Sequence, residues 1–149
     1  MPEVLFYQLD RQPLEEVLPD LLSKCLQRSW RVVVQAGTDE RVEALDAHLW
    51  TYRDDTFLPH GARRDGNAAV QPVWLTAGGD NPNEAPVRFL VDDAEPEALA
   101  GHDRFVFLFD GKDPAALDRA RTAWKTARAE GHTVTYWQQA ANGRWEQKT

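Results

Sequence analysis

One cysteine, Cys25, and one methionine stand in a chain of 149 residues. A lone thiol closes no internal disulfide and builds no multi-thiolate zinc site, and it suits a reducing compartment such as the cytoplasm. Long apolar runs are also missing. The longest, Phe105-Val106-Phe107-Leu108-Phe109, falls far short of the ~20 residues that a membrane-spanning helix needs. Met1-Pro2-Glu3-Val4 has no basic segment leading into an apolar one, so no secretory signal is expected. Positive charge is in deficit, with 17 Lys and Arg against 24 Asp and Glu and a formal net charge of -7. A molecule of that sign repels phosphate backbones, so strong direct DNA binding is not expected unless a local basic patch provides it.

Catalytic signatures are equally scarce. Neither a G-x-x-x-x-G-K-[ST] loop nor a G-x-G-x-x-G turn is present; after Leu9 the chain reads Asp10-Arg11-Gln12-Pro13, with no glycine for a phosphate to approach. Gly78-Gly79 lacks a following lysine and runs into Pro82, which does not open a helix as a phosphate loop does. No G-x-S-x-G occurs, and Cys25 falls on the apolar face of a predicted helix, where a thiol serves as a small core residue. His48, His60, His102 and His132 form no H-x-x-x-H and join no cysteine at ligand spacing; they read as surface or half-buried histidines, and no metal site is expected. Asp46 and His48, two apart on a helix, point in different directions, and the adjacent pair His102-Asp103 has no catalytic geometry.

What is present alternates between the two structural periods. Val4–Leu9 reads as a buried strand. Leu14, Val17, Leu18, Leu21, Leu22, Cys25 and Leu26 follow at helical spacing behind Pro13, with Pro19 inside the pattern as a kink or a shifted start. Residues 31–36 are a β-branched run closed by Gly37, as in an interior parallel strand. Thr38 or Asp39 can cap a second helix carrying Val42, Leu45, Leu49 and Trp50 on one face. Residues 61–71 read as a loop, 72–76 and 87–91 as strands, and the acidic stretch 92–97 as solvated. Residues 104–109 give another buried strand, 114–130 a helix stopped by Gly131, and 133–138 a strand ahead of an Asn142-Gly143 hairpin turn. Strand-helix alternation without an internal repeat or a long linker predicts one α/β domain over residues 1–149.

The helix at 114–130 carries the candidate site. Ala116, Ala120, Ala123 and Ala127 share one stripe, and small residues there let a helix lie close on a sheet. At ~100° per residue, Leu117, Arg121, Trp124 and Arg128 form a second stripe about a quarter-turn away, with Lys125 beside it. An indole among cations suits a ligand with an apolar end and negative charge, since arginine offers a bidentate fork and the ring an apolar wall. Alternatively, the arginine stems simply pack over a half-buried Trp124. Trp50 and Phe57, at the exit of the second helix, can anchor a partner or close the core.

The sequence resembles the chi subunit of bacterial DNA polymerase III holoenzyme. The resemblance rests on Phe6-Tyr7-Gln8-Leu9, Leu45-Asp46-Ala47-His48-Leu49-Trp50-Thr51 and Phe57-Leu58-Pro59-His60-Gly61. It continues through Pro72-Val73-Trp74-Leu75, Arg121-Thr122-Ala123-Trp124-Lys125, Tyr136-Trp137-Gln138-Gln139 and Gly143-Arg144-Trp145. It implies a three-layer α/β fold with a mostly parallel central sheet, like nucleotide-binding folds but without a phosphate loop. It further implies a non-catalytic accessory subunit of the clamp-loader assembly, without a cofactor, that binds the acidic C-terminal tail of single-stranded DNA-binding protein. The psi subunit and, in some bacteria, a repair helicase are the other implied partners. Carried over by position, Arg121 meets the carboxylates of the tail, Trp124 lines the pocket for its final phenylalanine, and Lys125 and Arg128 add positive potential. Leu117 takes a position where the family often has a basic residue, which weakens the electrostatic part or moves it to Arg119 or Lys112. Phe57 and Trp50 fall on the psi or helicase surface. The residues by themselves leave two rivals: a nucleotide- or flavin-dependent α/β enzyme with an atypical loop, and a single-stranded DNA binder using Trp124 and the arginines.

Overall fold

Apolar runs become strands and the 3.6-residue patterns become helices in a computed structural model that describes residues 2–51, 60–62 and 67–148. In chain order the elements are β1 (Glu3–Leu9), α1 (Leu14–Gln27), β2 (Val32–Gln35), α2 (Asp39–Thr51), β3 (Gly61–Ala62), β4 (Val73–Thr76), β5 (Val87–Leu90), β6 (Arg104–Asp110), α3 (Pro114–Ala129), β7 (Thr133–Gln139) and β8 (Trp145–Gln147). They build one eight-stranded sheet in the order β3-β4-β2-β5-β6-β1-β7-β8. Every neighbouring pair is parallel except β7 with β8, which the Asn142-Gly143 turn joins as an antiparallel hairpin. Gly143 takes φ +84°, the left-handed conformation that such a turn needs.

Strand alternation divides the core into two layers. Leu9, Val32, Val34, Val87, Phe89, Val106 and Leu108 face α1 and α2, while Val4, Phe6, Leu90 and Phe105 face α3. Both sides of β2 are apolar because both are covered, which is why Val32, Val33 and Val34 are a continuous valine run. Where α3 does not reach, Val33, Trp74 and Ala85 form a smaller cluster. The loop over them is tied down by the buried Arg88, which donates to Gln35 Oε1 and to the carbonyls of Gly78 and Asp80.

Several expectations need adjustment. α1 runs through Pro19 without interruption. Proline removes the N–H that would serve the Glu15 carbonyl, and His48 of α2 supplies a substitute from 2.6 Å. Thr38, not Asp39, caps α2, accepting from the Arg41 N–H. Residues 61–71 are not loop throughout: Gly61–Ala62 adds an edge strand and Ala68–Val70 forms a 3-10 turn. Trp50 does not share the buried face of Val42, Leu45 and Leu49; it is 44% exposed. One histidine is neither at the surface nor half-buried, since His60 is 4% exposed.

Candidate peptide-binding site

The third helix is fixed at both ends by its own sequence. Asp113 accepts from the Ala115 N–H as N-cap and Pro114 opens the first turn. At the other end Gly131 takes φ +87°. His132 then donates to the Ala127 carbonyl and Gly131 to that of Arg128, which closes the helix. Ala116, Ala120 and Ala127 are buried against the sheet and Ala123 half-buried, so the alanine stripe faces inward as its spacing predicts.

Leu117, Arg121, Trp124 and Arg128 lie together on the flank toward β7, with Lys125 exposed beside them. Trp124 is half-buried against the cluster that includes Phe6 and Ala120, and is not sealed inside it. The Arg128 guanidinium stands 4.8 Å over its ring, so one cation does pack on the indole. Arg121 does not. Its side chain is 72% exposed and reaches Asp118 at 3.9 Å, a separation worth little in water. The Trp124 Nε1 is out of solvent with no hydrogen-bond partner among the described residues. Arg121 also acts on Tyr136: burial, then Asp10, pushes the phenol above its usual range and the Arg121 charge opposes them. The Tyr136 hydroxyl donates to Gln8 Oε1.

Neither substitute for a basic residue at position 117 joins this flank. Arg119 projects on the opposite side of α3 and pairs with Asp93, 200° around the helix from Leu117 at ~100° per residue. Lys112 precedes the helix and lines a crevice at the C-terminal edge of the sheet. Arg119 instead borders a groove of about 490 Å3 between α3 and residues 93–99. Sequence reading missed this groove, having assigned the acidic stretch to solvent. The signal available was Ala94 and Leu99 among the carboxylates; Ala94 is 9% exposed.

Ligands of open α/β sheets bind at the C-terminal strand edge, where successive helices leave on opposite faces. That point lies here between β1, followed by α1, and β6, followed by α3, and a crevice of about 470 Å3 occupies it. Its lining opposes phosphate. Asp10, Glu15, Asp92, Asp110 and Asp113 all contribute carboxylates. The N-terminus of α3 is already capped by Asp113, and a Cβ on Gly111 would lie 1.9 Å from Asp10 Oδ1. The space that a phosphate loop leaves open is filled by a side chain of the wrong sign.

Trp50 lies on α2, across the sheet from this flank, with its ring 4.4 Å from that of the buried His60. His60 Nε2 is 3.0 Å from Asp46 Oδ1, a pair brought together by the fold and not by local spacing. Phe57 lies outside the described residues. Among the described residues no group of three or more His, Cys, Asp or Glu is placed to hold a metal ion, and no helix is long and apolar enough to cross a membrane.

Sheet order, opposed helices and a crevice lined by carboxylates define a three-layer α/β protein with a mostly parallel central sheet. A sequence profile described as DNA polymerase III chi subunit, HolC, matches residues 1–135, and the chain belongs to that family. A protein of Rickettsia prowazekii (strain Madrid E) named probable DNA polymerase III subunit chi is 27% identical over 109 residues. The match covers 73% of this chain and 66% of the Rickettsia protein, just under two thirds of the latter.

Proposed function

We propose that the chain is a non-catalytic accessory subunit of the DNA polymerase III holoenzyme, associated with the clamp loader in the cytoplasm. Its task in this reading is to hold the acidic C-terminal tail of single-stranded DNA-binding protein. Family membership supports the replication role. The observation that carries the tail-binding role is the pairing of a solvent-directed Arg121 with a half-buried Trp124 on one exposed flank. In a protein of net charge -7, an acidic peptide needs such a local cationic surface to approach. Arg121 receives a carboxylate, the indole supports the terminal phenylalanine, and Lys125 and Arg128 supply attraction along the tail. Leu117 extends the apolar part of the flank. Ordering a disordered tail opposes binding, so affinity is modest and falls as salt rises. Trp50 is exposed on the far side of the sheet and is the described part of the surface assigned to the psi subunit or a repair helicase; Phe57, given to the same partners by the family resemblance, lies outside the described residues.

The test is calorimetric titration with a synthetic acidic peptide ending in proline and phenylalanine, and with the same peptide lacking the final residue. The full peptide binds and the truncated one binds at least tenfold more weakly. Equal binding by both overturns the reading.

A further inference from the structure

We infer that the groove on the other flank of α3 is a second docking site, and that it takes a cationic amphipathic segment of a partner protein. Its floor is apolar, made by Leu90, Leu99, Phe107, Phe109, Ala120 and Ala123. At about 490 Å3 it has the size of sites that enclose a few side chains. Its rim has the opposite sign from the Arg121 flank. Glu95, Glu97, Asp118 and Glu130 surround it, all exposed. Asp118 also reaches Arg121, Glu130 meets His132 at 3.3 Å and Glu97 faces the buried Arg88. Among the described lining residues Arg119, engaged by Asp93, is the cation set against these carboxylates, so the rim stays acidic. An acidic peptide is therefore repelled where a segment with Lys or Arg around bulky apolar residues is attracted. The apolar residues fill the floor and the cations meet the rim.

Two features make this a built groove. Asp92 and Asp93 follow β5 in the left-handed conformation, at φ 50° and 66°, and turn the chain away from the sheet. Residues 93–99 then run as a second wall opposite α3, bridged to it by the Asp93–Arg119 ion pair. The small side chains Ala116, Ala120 and Ala123 leave Phe107 and Phe109 accessible from this side. The site lies on the other side of the helix from Arg121 and Trp124, so both flanks can be occupied together.

The experiment is a fluorescence-anisotropy titration of the full chain with a labelled peptide of about twelve residues, lysines with leucine and phenylalanine at i, i+3, i+4 and i+7. The comparison peptide has the same lysines with serine at each apolar position. The lysine-leucine peptide binds, the serine peptide binds at least tenfold more weakly, and Glu95→Gln with Glu97→Gln, which removes rim charge without setting a cation beside the buried Arg88, weakens the first peptide at least tenfold. That double variant keeps the melting temperature and still binds the acidic phenylalanine-terminated peptide, which separates this site from the Arg121 flank. Equal binding of the two cationic peptides, which marks diffuse charge attraction, overturns the inference. So does unchanged binding by the double variant, or no binding at all.

Discussion

The two flanks of α3 hang from one alanine stripe and differ in almost everything else. Toward β7 the helix presents an indole and three cations; toward β5 it walls an apolar groove rimmed by carboxylates. The stripe itself makes no distinction between them, because methyl groups on a sheet recognise nothing. Small residues at the buried positions fix how close the helix lies. The flanks are then free to diverge in charge, which is how a single helix in an acidic protein can attract ligands of both signs.

Beneath both flanks lies the same aromatic floor, and it offers the largest effect. The Phe6 ring stacks on Phe107 of the groove at 4.7 Å and faces Tyr136 of the cationic side at 6.4 Å. Phe6→Ala is expected to cost about 3–5 kcal/mol of stability. Denaturant unfolding measures this, and binding at both flanks weakens together. Next comes Arg121→Ala, which weakens the acidic peptide at least tenfold, about 1.4 kcal/mol, while a thermal melt stays unchanged. The lysine-leucine peptide binds this variant as before; a joint loss would show that the flanks are not independent. Asp113→Ala removes the cap of α3 and is expected to cost about 1 kcal/mol in the same unfolding assay.

The smallest effect is electrostatic. Because the Tyr136 pKa is raised in the folded protein, its contribution to stability is complete below the unfolded value of 10.0 and is lost as pH rises through the folded one. Arg121 is the one influence that lowers this pKa, so Arg121→Ala moves Tyr136 ionisation to still higher pH. An alkaline titration of the tyrosine ring resonances reads the shift, which must be upward if the guanidinium faces the phenol.

Local signals carried most of the fold. Valine and phenylalanine runs marked β2 and β6, Pro114 and Gly131 bounded α3, and the alanine spacing gave its inward face. The four-member stripe Leu117, Arg121, Trp124 and Arg128 was legible for the same reason: helical geometry is a local rule. What escaped depends on residues far apart in the chain. The groove needs residues 93–99, an aperiodic segment, opposite a helix more than ten residues later. His60 and Asp46 meet across 14 positions, and a two-residue strand such as β3 has no period to detect. The exposure of Trp50 was within reach of arithmetic, because at ~100° per residue it stands well off the line from Val42 to Leu49.

The central claim, that the Arg121 and Trp124 flank receives the end of an acidic polypeptide, is tested most directly by nuclear magnetic resonance. The indole N–H signal of Trp124 and the backbone amides of the protein are followed while the phenylalanine-terminated acidic peptide is added. The account predicts that the Trp124 signal and the amides of residues 117–128 shift in proportion to occupancy, with residues 94–99 still. Movement confined to residues 94–99, with the Trp124 signal fixed, would contradict it.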